Sequence, residues 1–172
     1  KFYGRTSKVI APPVRMSDEV SFELSPQERA FFDQHPEPFF LCAGALVPYK
    51  KIDVAVKAFN ELAEPLWIVG GGPEQPALEA LAGPTVRVLG RVSEAFLWEC
   101  YRRCRALVFP GIEDFGIVPI ECLASGRPVI AVQAGGVAES VPGVLTGDTV
   151  NINRAGSWKG VFIAKAGFGS HT

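Results

Sequence analysis

The densest group of residues able to do chemistry lies in one stretch, Pro110-Gly111-Ile112-Glu113-Asp114-Phe115-Gly116-Ile117-Val118-Pro119-Ile120-Glu121. Glu113 and Glu121 are eight residues apart. The first falls in a loop and the second about one turn into the following helix, so both carboxylates are expected to face one crevice. Between them, the N–H groups around Phe115, Gly116, Ile117 and Val118 stand at a helix N-terminus, which favours an anion. Carboxylates repel phosphate but accept well from hydroxyl groups. Amides for a diphosphate, flanked by carboxylates for two sets of hydroxyls, is the layout a nucleotide-sugar site needs. The plainer alternative is a pair of ordinary acids at a helix start.

Three other loops are candidates. Ala45-Leu46-Val47-Pro48-Tyr49-Lys50-Lys51 places lysines near a helix N-terminus, where they suit a phosphate or simply a solvated loop. Gly70-Gly71-Gly72-Pro73-Glu74 lets a backbone approach a ligand closely, or forms a tight turn. It is a poor dinucleotide fingerprint, because Gln75 stands where G-x-G-x-x-G needs its third glycine and no acid follows at the end of a next strand. Gly135-Gly136-Val137-Ala138-Glu139 is a weaker version of the same idea.

These loops need a frame, and the apolar pattern supplies it. Short apolar runs, Phe39–Ala43, Leu66–Val69, Val86–Leu89, Ala106–Phe109 and Pro128–Val132, alternate with helical segments. Ile52–Leu62 carries apolar residues at helical spacing. Pro73 is expected in the first turn of a helix through Leu78 and Leu81. Ser93 is expected to cap a helix reaching Arg103. A further helix is expected over Val118–Ser125 with Gly126 at its C′ position. Strands apolar throughout, separated by helices, predict an α/β fold: a doubly wound, Rossmann-like parallel sheet covered on both faces. In such a sheet ligands bind beyond the carboxyl ends of the strands, where the strand order switches. Residues 1–38 read as an entry segment and linker around a short helix near Gln27–Phe32, residues 39–150 as the domain, and 151–172 as an irregular tail.

At 172 residues the chain is long enough for one domain with its own core. Seventeen basic against 18 acidic residues give a net charge of −1, which removes the electrostatic case for nucleic acid or an anionic membrane. Glycine (18) and proline (14) are about one residue in five, as in a fold with many tight junctions. The four cysteines, Cys42, Cys100, Cys104 and Cys122, form no C-x-x-C pair and have only His35 and His171 for company. They read as small buried hydrophobes in a reducing compartment rather than zinc ligands. No apolar run approaches the length of a membrane span and the first twenty residues lack a signal-peptide core, so a cytoplasmic location is the default. The chain starts at Lys1, its single methionine is Met16, and its mean hydropathy is +0.19. A fragment of a longer protein is the expectation.

The loops, in this order, resemble the C-terminal, donor-binding domain of retaining family-4 (group 1) glycosyltransferases of two-domain GT-B fold. The resemblance is carried by Gly44–Lys50, Val69–Glu74, Leu89-Gly90-Arg91-Val92-Ser93, the E-x7-E stretch Glu113–Glu121, Ala124–Ala131 and Gly135–Glu139. It covers about residues 39–148. The wording of Leu46–Lys50 and Asp114–Pro119 is most like the mannosyltransferases of O-antigen and capsule assembly. The resemblance implies that Glu113 meets the donor sugar's hydroxyls, Glu121 the ribose hydroxyls, and the amides of Phe115, Gly116 and Ile117 the sugar and diphosphate. It implies that Lys50 neutralises the departing diphosphate, with Gly44, Lys51, Gly71, Gly72, Arg91 and Val118 completing the donor site. No metal and no cofactor beyond the nucleotide-sugar donor is implied. The implied partners are an N-terminal domain and a glycan or lipid-linked acceptor, with at most peripheral membrane contact.

Two departures stand out. Ala45 replaces the family's usual arginine, a second diphosphate cation, which weakens donor binding unless Lys51 or Arg91 compensates. Residues after Thr149 do not read like the family's helix that crosses back to the N-terminal domain. The implied reaction is retaining transfer from a nucleotide-diphosphate sugar, GDP-mannose favoured over a UDP-sugar. The alternatives are a nucleotide-sugar-binding regulatory module without catalysis and a sugar-nucleotide epimerase of the same paired fold.

Overall fold

A computed structural model describes residue 13, residues 22–132 and 135–137, and the backbone of a strand at 161–164. Helix α1 (Pro26–Gln34) leads into β1 (Phe40–Ala43), a 3-10 turn (Pro48–Lys50), α2 (Ile52–Leu62), β2 (Leu66–Val69), α3 (Gln75–Leu81) and β3 (Val86–Gly90). The chain continues through α4 (Glu94–Arg103), β4 (Leu107–Phe109), α5 (Ile117–Ala124), β5 (Val129–Val132) and β6 (Val161–Ala164). The sheet order is β3-β2-β1-β4-β5-β6, with the first five strands parallel. The doubly wound parallel fold expected from the apolar pattern is therefore present.

Side chains alternate across each strand, and the two sets build two cores. Leu41, Ala43, Trp67, Val69, Leu107, Phe109, Val129 and Ala131 face one layer, packed with residues of α1, α4 and α5. Cys42, Leu66, Ile68, Val108 and Ile130 face the other, with Ile52, Val56 and Phe59 of α2 and Leu78 of α3. Both faces are covered, which is why the strands read as unbroken apolar runs. The exception is β3, at the sheet edge, where Arg87 is exposed.

Caps fix the helix starts. Ser25 and Glu28 form a capping box on α1. Ser93 accepts from the Phe96 amide at the start of α4, as expected, and its hydroxyl donates to Glu28 Oε1 at 2.5 Å, tying the two helices together. Within the segment expected as an entry linker, Phe32 is buried against Trp67 and Phe96, with ring centroids 5.9 and 4.6 Å away. Phe32→Ala is expected to lower stability by ~3–5 kcal/mol, the usual cost of emptying a buried aromatic site, measured by urea unfolding. Loss under 1 kcal/mol would mean that α1 adds nothing to the core.

Two expectations need correction. Pro73 does not start a helix: it lies in a turn closed by the Gln75 amide on the Gly72 carbonyl (3.1 Å), and Pro76 takes the first-turn position of α3. The segment 151–172 is not irregular throughout. Val161-Phe162-Ile163-Ala164 forms β6, antiparallel to β5, with Ile130 opposite Ile163. A four-residue apolar run is strand enough once a sheet edge is available, although no β/α rhythm announces it.

All four cysteines are free and buried, in keeping with their reading as core residues. Burial pushes the Cys42 thiol up to about 12, so it carries no thiolate near neutrality.

Candidate functional site

The switch in strand order falls between β1 and β4, and the loops leaving those two strands meet there. From β1, Pro48 sets a short 3-10 turn that ends on Lys50, the one charged side chain buried among the described residues. From β4, Pro110–Gly116 carries Glu113. The Lys50 ammonium and the Glu113 carboxylate form an ion pair. The ammonium also stands 5.8 Å from the Phe109 ring centroid. A buried cation without such partners would cost several kcal/mol, so the pair explains how a lysine can sit inside the sheet's end.

A cleft of about 550 Å³ opens above this pair, lined by Tyr49, Lys50, Ile112, Glu113, Asp114, Phe115, Gly116, Ile117 and Val118. Six of the sequence-derived site residues, Lys50, Glu113, Phe115, Gly116, Ile117 and Val118, are thus brought together. The last two open α5, where the first-turn amides have no carbonyl a turn earlier to bond. Gly116 caps the helix at φ +80°, and a Cβ there would stand 2.7 Å from Val137 Cγ2, so both backbone and space call for glycine.

Glycines elsewhere lock these loops to one another. A Cβ on Gly111 would stand 2.7 Å from Lys50 Cα, which keeps the β4 loop against the lysine turn. A Cβ on Gly136 would stand 1.8 Å from the Asp114 carbonyl oxygen, and the Gly136 amide donates to the Glu113 carbonyl at 2.6 Å. The Gly135-Gly136 pair thus presses on the protein's own acidic loop.

The remaining site candidates lie outside the lining of the cleft. A Cβ on Gly44 would meet Lys50 Nζ at 3.2 Å, so this glycine leaves room for the ammonium. Gly72 abuts the Leu46 backbone, with an added Cβ 2.3 Å from its carbonyl oxygen, and the Leu46 amide bonds the Gly71 carbonyl at 3.1 Å. The Gly70–Gly72 run therefore serves a tight turn packed on the β1 loop. Arg91 lies along Gly71, where a Cβ would be 2.7 Å from its Nε. Lys51 is exposed in a left-handed conformation between the 3-10 turn and α2. Glu121, on α5, does not line the cleft with Glu113. Its Oε2 accepts from the Tyr101 hydroxyl at 3.2 Å.

Four residues were missed as site candidates: Tyr49, Ile112 and Asp114 at the cleft, and Tyr101 behind Glu121. The signal for Tyr101 was a tyrosine on the apolar face of α4, since a buried phenol needs a hydrogen-bond partner. Among the described residues no group of three or more His, Cys, Asp or Glu is arranged to hold a metal, and no helix is long and apolar enough to cross a membrane.

The family model for glycosyl transferases group 1 matches residues 37–155. An uncharacterised glycosyltransferase of Methanocaldococcus jannaschii is 32% identical over 108 residues, covering 60% of this chain and 31% of that protein. A D-inositol 3-phosphate glycosyltransferase of Mycobacterium sp. (strain KMS) is 32% identical over 127 residues, covering 67% of this chain and 29% of that one. The chain therefore spans less than a third of the length of these curated relatives. Among solved structures, an S. aureus TarM variant in complex with Fondaparinux, alpha-GlcNAc-glycerol and UDP has a TM-score of 0.58 at 21% identity, over 68% of this chain and 26% of that one. Anabaena HepE in complex with UDP and glucose has a TM-score of 0.58 at 22% identity, over 72% of this chain and 38% of that one.

Proposed function

The chain belongs to the group 1 glycosyl transferases, and from that premise we propose that it binds a nucleoside-diphosphate sugar and serves transfer of the sugar to a glycan or lipid-linked acceptor. The observation that carries the reading is the Lys50–Glu113 pair at the strand-order switch, beside the N-terminus of α5. The ammonium and the helix amides suit a diphosphate, and the carboxylate suits sugar hydroxyls.

In this reading Glu113 holds the donor sugar, Lys50 and the first-turn amides of α5 take the diphosphate, and Glu121 takes the ribose hydroxyls. The acceptor hydroxyl attacks the anomeric carbon on the face the diphosphate leaves. The new C–O bond forms as the bond to phosphate breaks, and the acceptor's proton passes to the departing phosphate oxygen, which retains configuration. Arg91 and Lys51 are the cations within the neighbouring loops that offset Ala45. The wording of the β1 and β4 loops favours GDP-mannose as the donor, and UDP, which the two solved neighbours hold, is the other diphosphate to test. A second domain closes over the exposed rim of Tyr49, Ile112 and Ile117.

Calorimetry with GDP and UDP tests the site. One of them should bind saturably, and Lys50→Ala should weaken it at least tenfold, since a hydrogen bond to a charged group contributes ~1.5–3 kcal/mol. Absence of binding by both, or binding indifferent to Lys50→Ala, rejects the assignment.

A further inference from the structure

Glu121 stands on α5 outside the cleft lining, and its orientation is set by what it bonds. Its Oε2 accepts from the hydroxyl of Tyr101, 3.2 Å away on the neighbouring helix α4. Tyr101 has no exposed surface. Its ring is fixed edge-on against Trp98 at 5.6 Å, and Trp98 is itself buried. The phenol therefore reaches Glu121 from the core side, on a ring that has no freedom to turn away.

We infer that Tyr101 is the positioning residue of the nucleotide site, holding the Glu121 carboxylate in the orientation that grips the ribose hydroxyls. The inference rests on the reading of Glu121 as the ribose ligand. A glutamate side chain has three rotatable bonds, and a donor fixed in the core selects one arrangement before the ligand arrives, lowering the ordering cost of binding. The hydroxyl is suited to donate. Burial first, and the neighbouring Glu121 charge next, push it well above the ordinary tyrosine range, so it stays protonated. A phenylalanine would fill the same space and lose only the donor.

The experiment compares ligands with and without the ribose 2′-hydroxyl. GDP, UDP and their 2′-deoxy forms are titrated into the full chain as wild type, Tyr101→Phe, Glu121→Gln and the double variant. Wild type should prefer the ribose form by about tenfold, the scale of a hydroxyl–carboxylate contact. Tyr101→Phe should compress that preference to about threefold or less while binding the 2′-deoxy form at wild-type strength, and should change nothing further in the Glu121→Gln background. An undiminished preference in Tyr101→Phe overturns the role of Tyr101 alone. Equal weakening of both ligands makes Tyr101 merely structural and overturns it too. Equal binding of ribose and deoxyribose forms by wild type overturns the reading of Glu121 beneath it.

Discussion

Glu113→Gln is expected to bind the nucleoside diphosphate about fivefold more tightly than wild type while transferring sugar ~10²–10³-fold more slowly. In the proposed function the two effects have opposite signs, because there the carboxylate plays opposite roles toward the two ends of a donor. Glu113 is ion-paired with Lys50, so a diphosphate drawn to that ammonium also meets a carboxylate a few ångströms away. Repulsion between such charges about 4 Å apart is ~1 kcal/mol even with the full screening of bulk water, and glutamine removes it without changing shape. Transfer, in contrast, needs the charge. Positive charge develops on the sugar as its bond to phosphate lengthens, and removing one preorganised electrostatic partner of a transition state costs ~10²–10³ in kcat. Calorimetry with GDP and UDP reads the first effect, and single-turnover transfer from a nucleoside-diphosphate sugar reads the second. Weaker binding together with intact transfer would make Glu113 only a counter-ion for the buried lysine. Lys50→Ala, expected to lose binding and transfer together, is the matching contrast.

The sequence revealed those parts of the fold that have a period. Five strands and the helices between them are legible because both faces of a parallel sheet are covered, so each strand is an apolar run and each helix an apolar stripe. The β6 strand was not legible, because one short run such as Val161–Ala164 acquires meaning only from the free edge of β5. The site divides in the same way. Lys50 and Glu113 were readable from their places after β1 and β4, since topology brings the ends of those strands together. Tyr101 was not, because its partner is twenty residues away on another helix and its pattern is that of a core residue. The glycines were readable as close approaches but not as to what they approach. Spacing cannot distinguish a phosphate from a neighbouring carbonyl, and at Gly72 and Gly136 the neighbour is the protein's own backbone.

In Gly136→Ala the new methyl group would stand 1.8 Å from the Asp114 carbonyl oxygen and 2.2 Å from its carbon. Both are backbone atoms, so no side-chain rotation relieves the contact, and the loop carrying Glu113 and the amides of α5 must move. The Gly136 amide bond to the Glu113 carbonyl, 2.6 Å long, moves with it. Overpacking of this kind costs ~1–3 kcal/mol of stability. Turnover should suffer more, falling ~10²-fold, because a displacement of about 1 Å at reacting groups is worth that much. Gly126→Ala is the control. Its φ of +77° strains an alanine by ~1–2 kcal/mol, but nothing lies within 4 Å of the added carbon, and it sits at the far end of α5. The two variants should therefore lose comparable stability by urea unfolding, and only Gly136→Ala should lose transfer. Equal losses of activity would trace the effect to general destabilisation, and full activity in Gly136→Ala would mean that the acidic loop finds its working position without this contact.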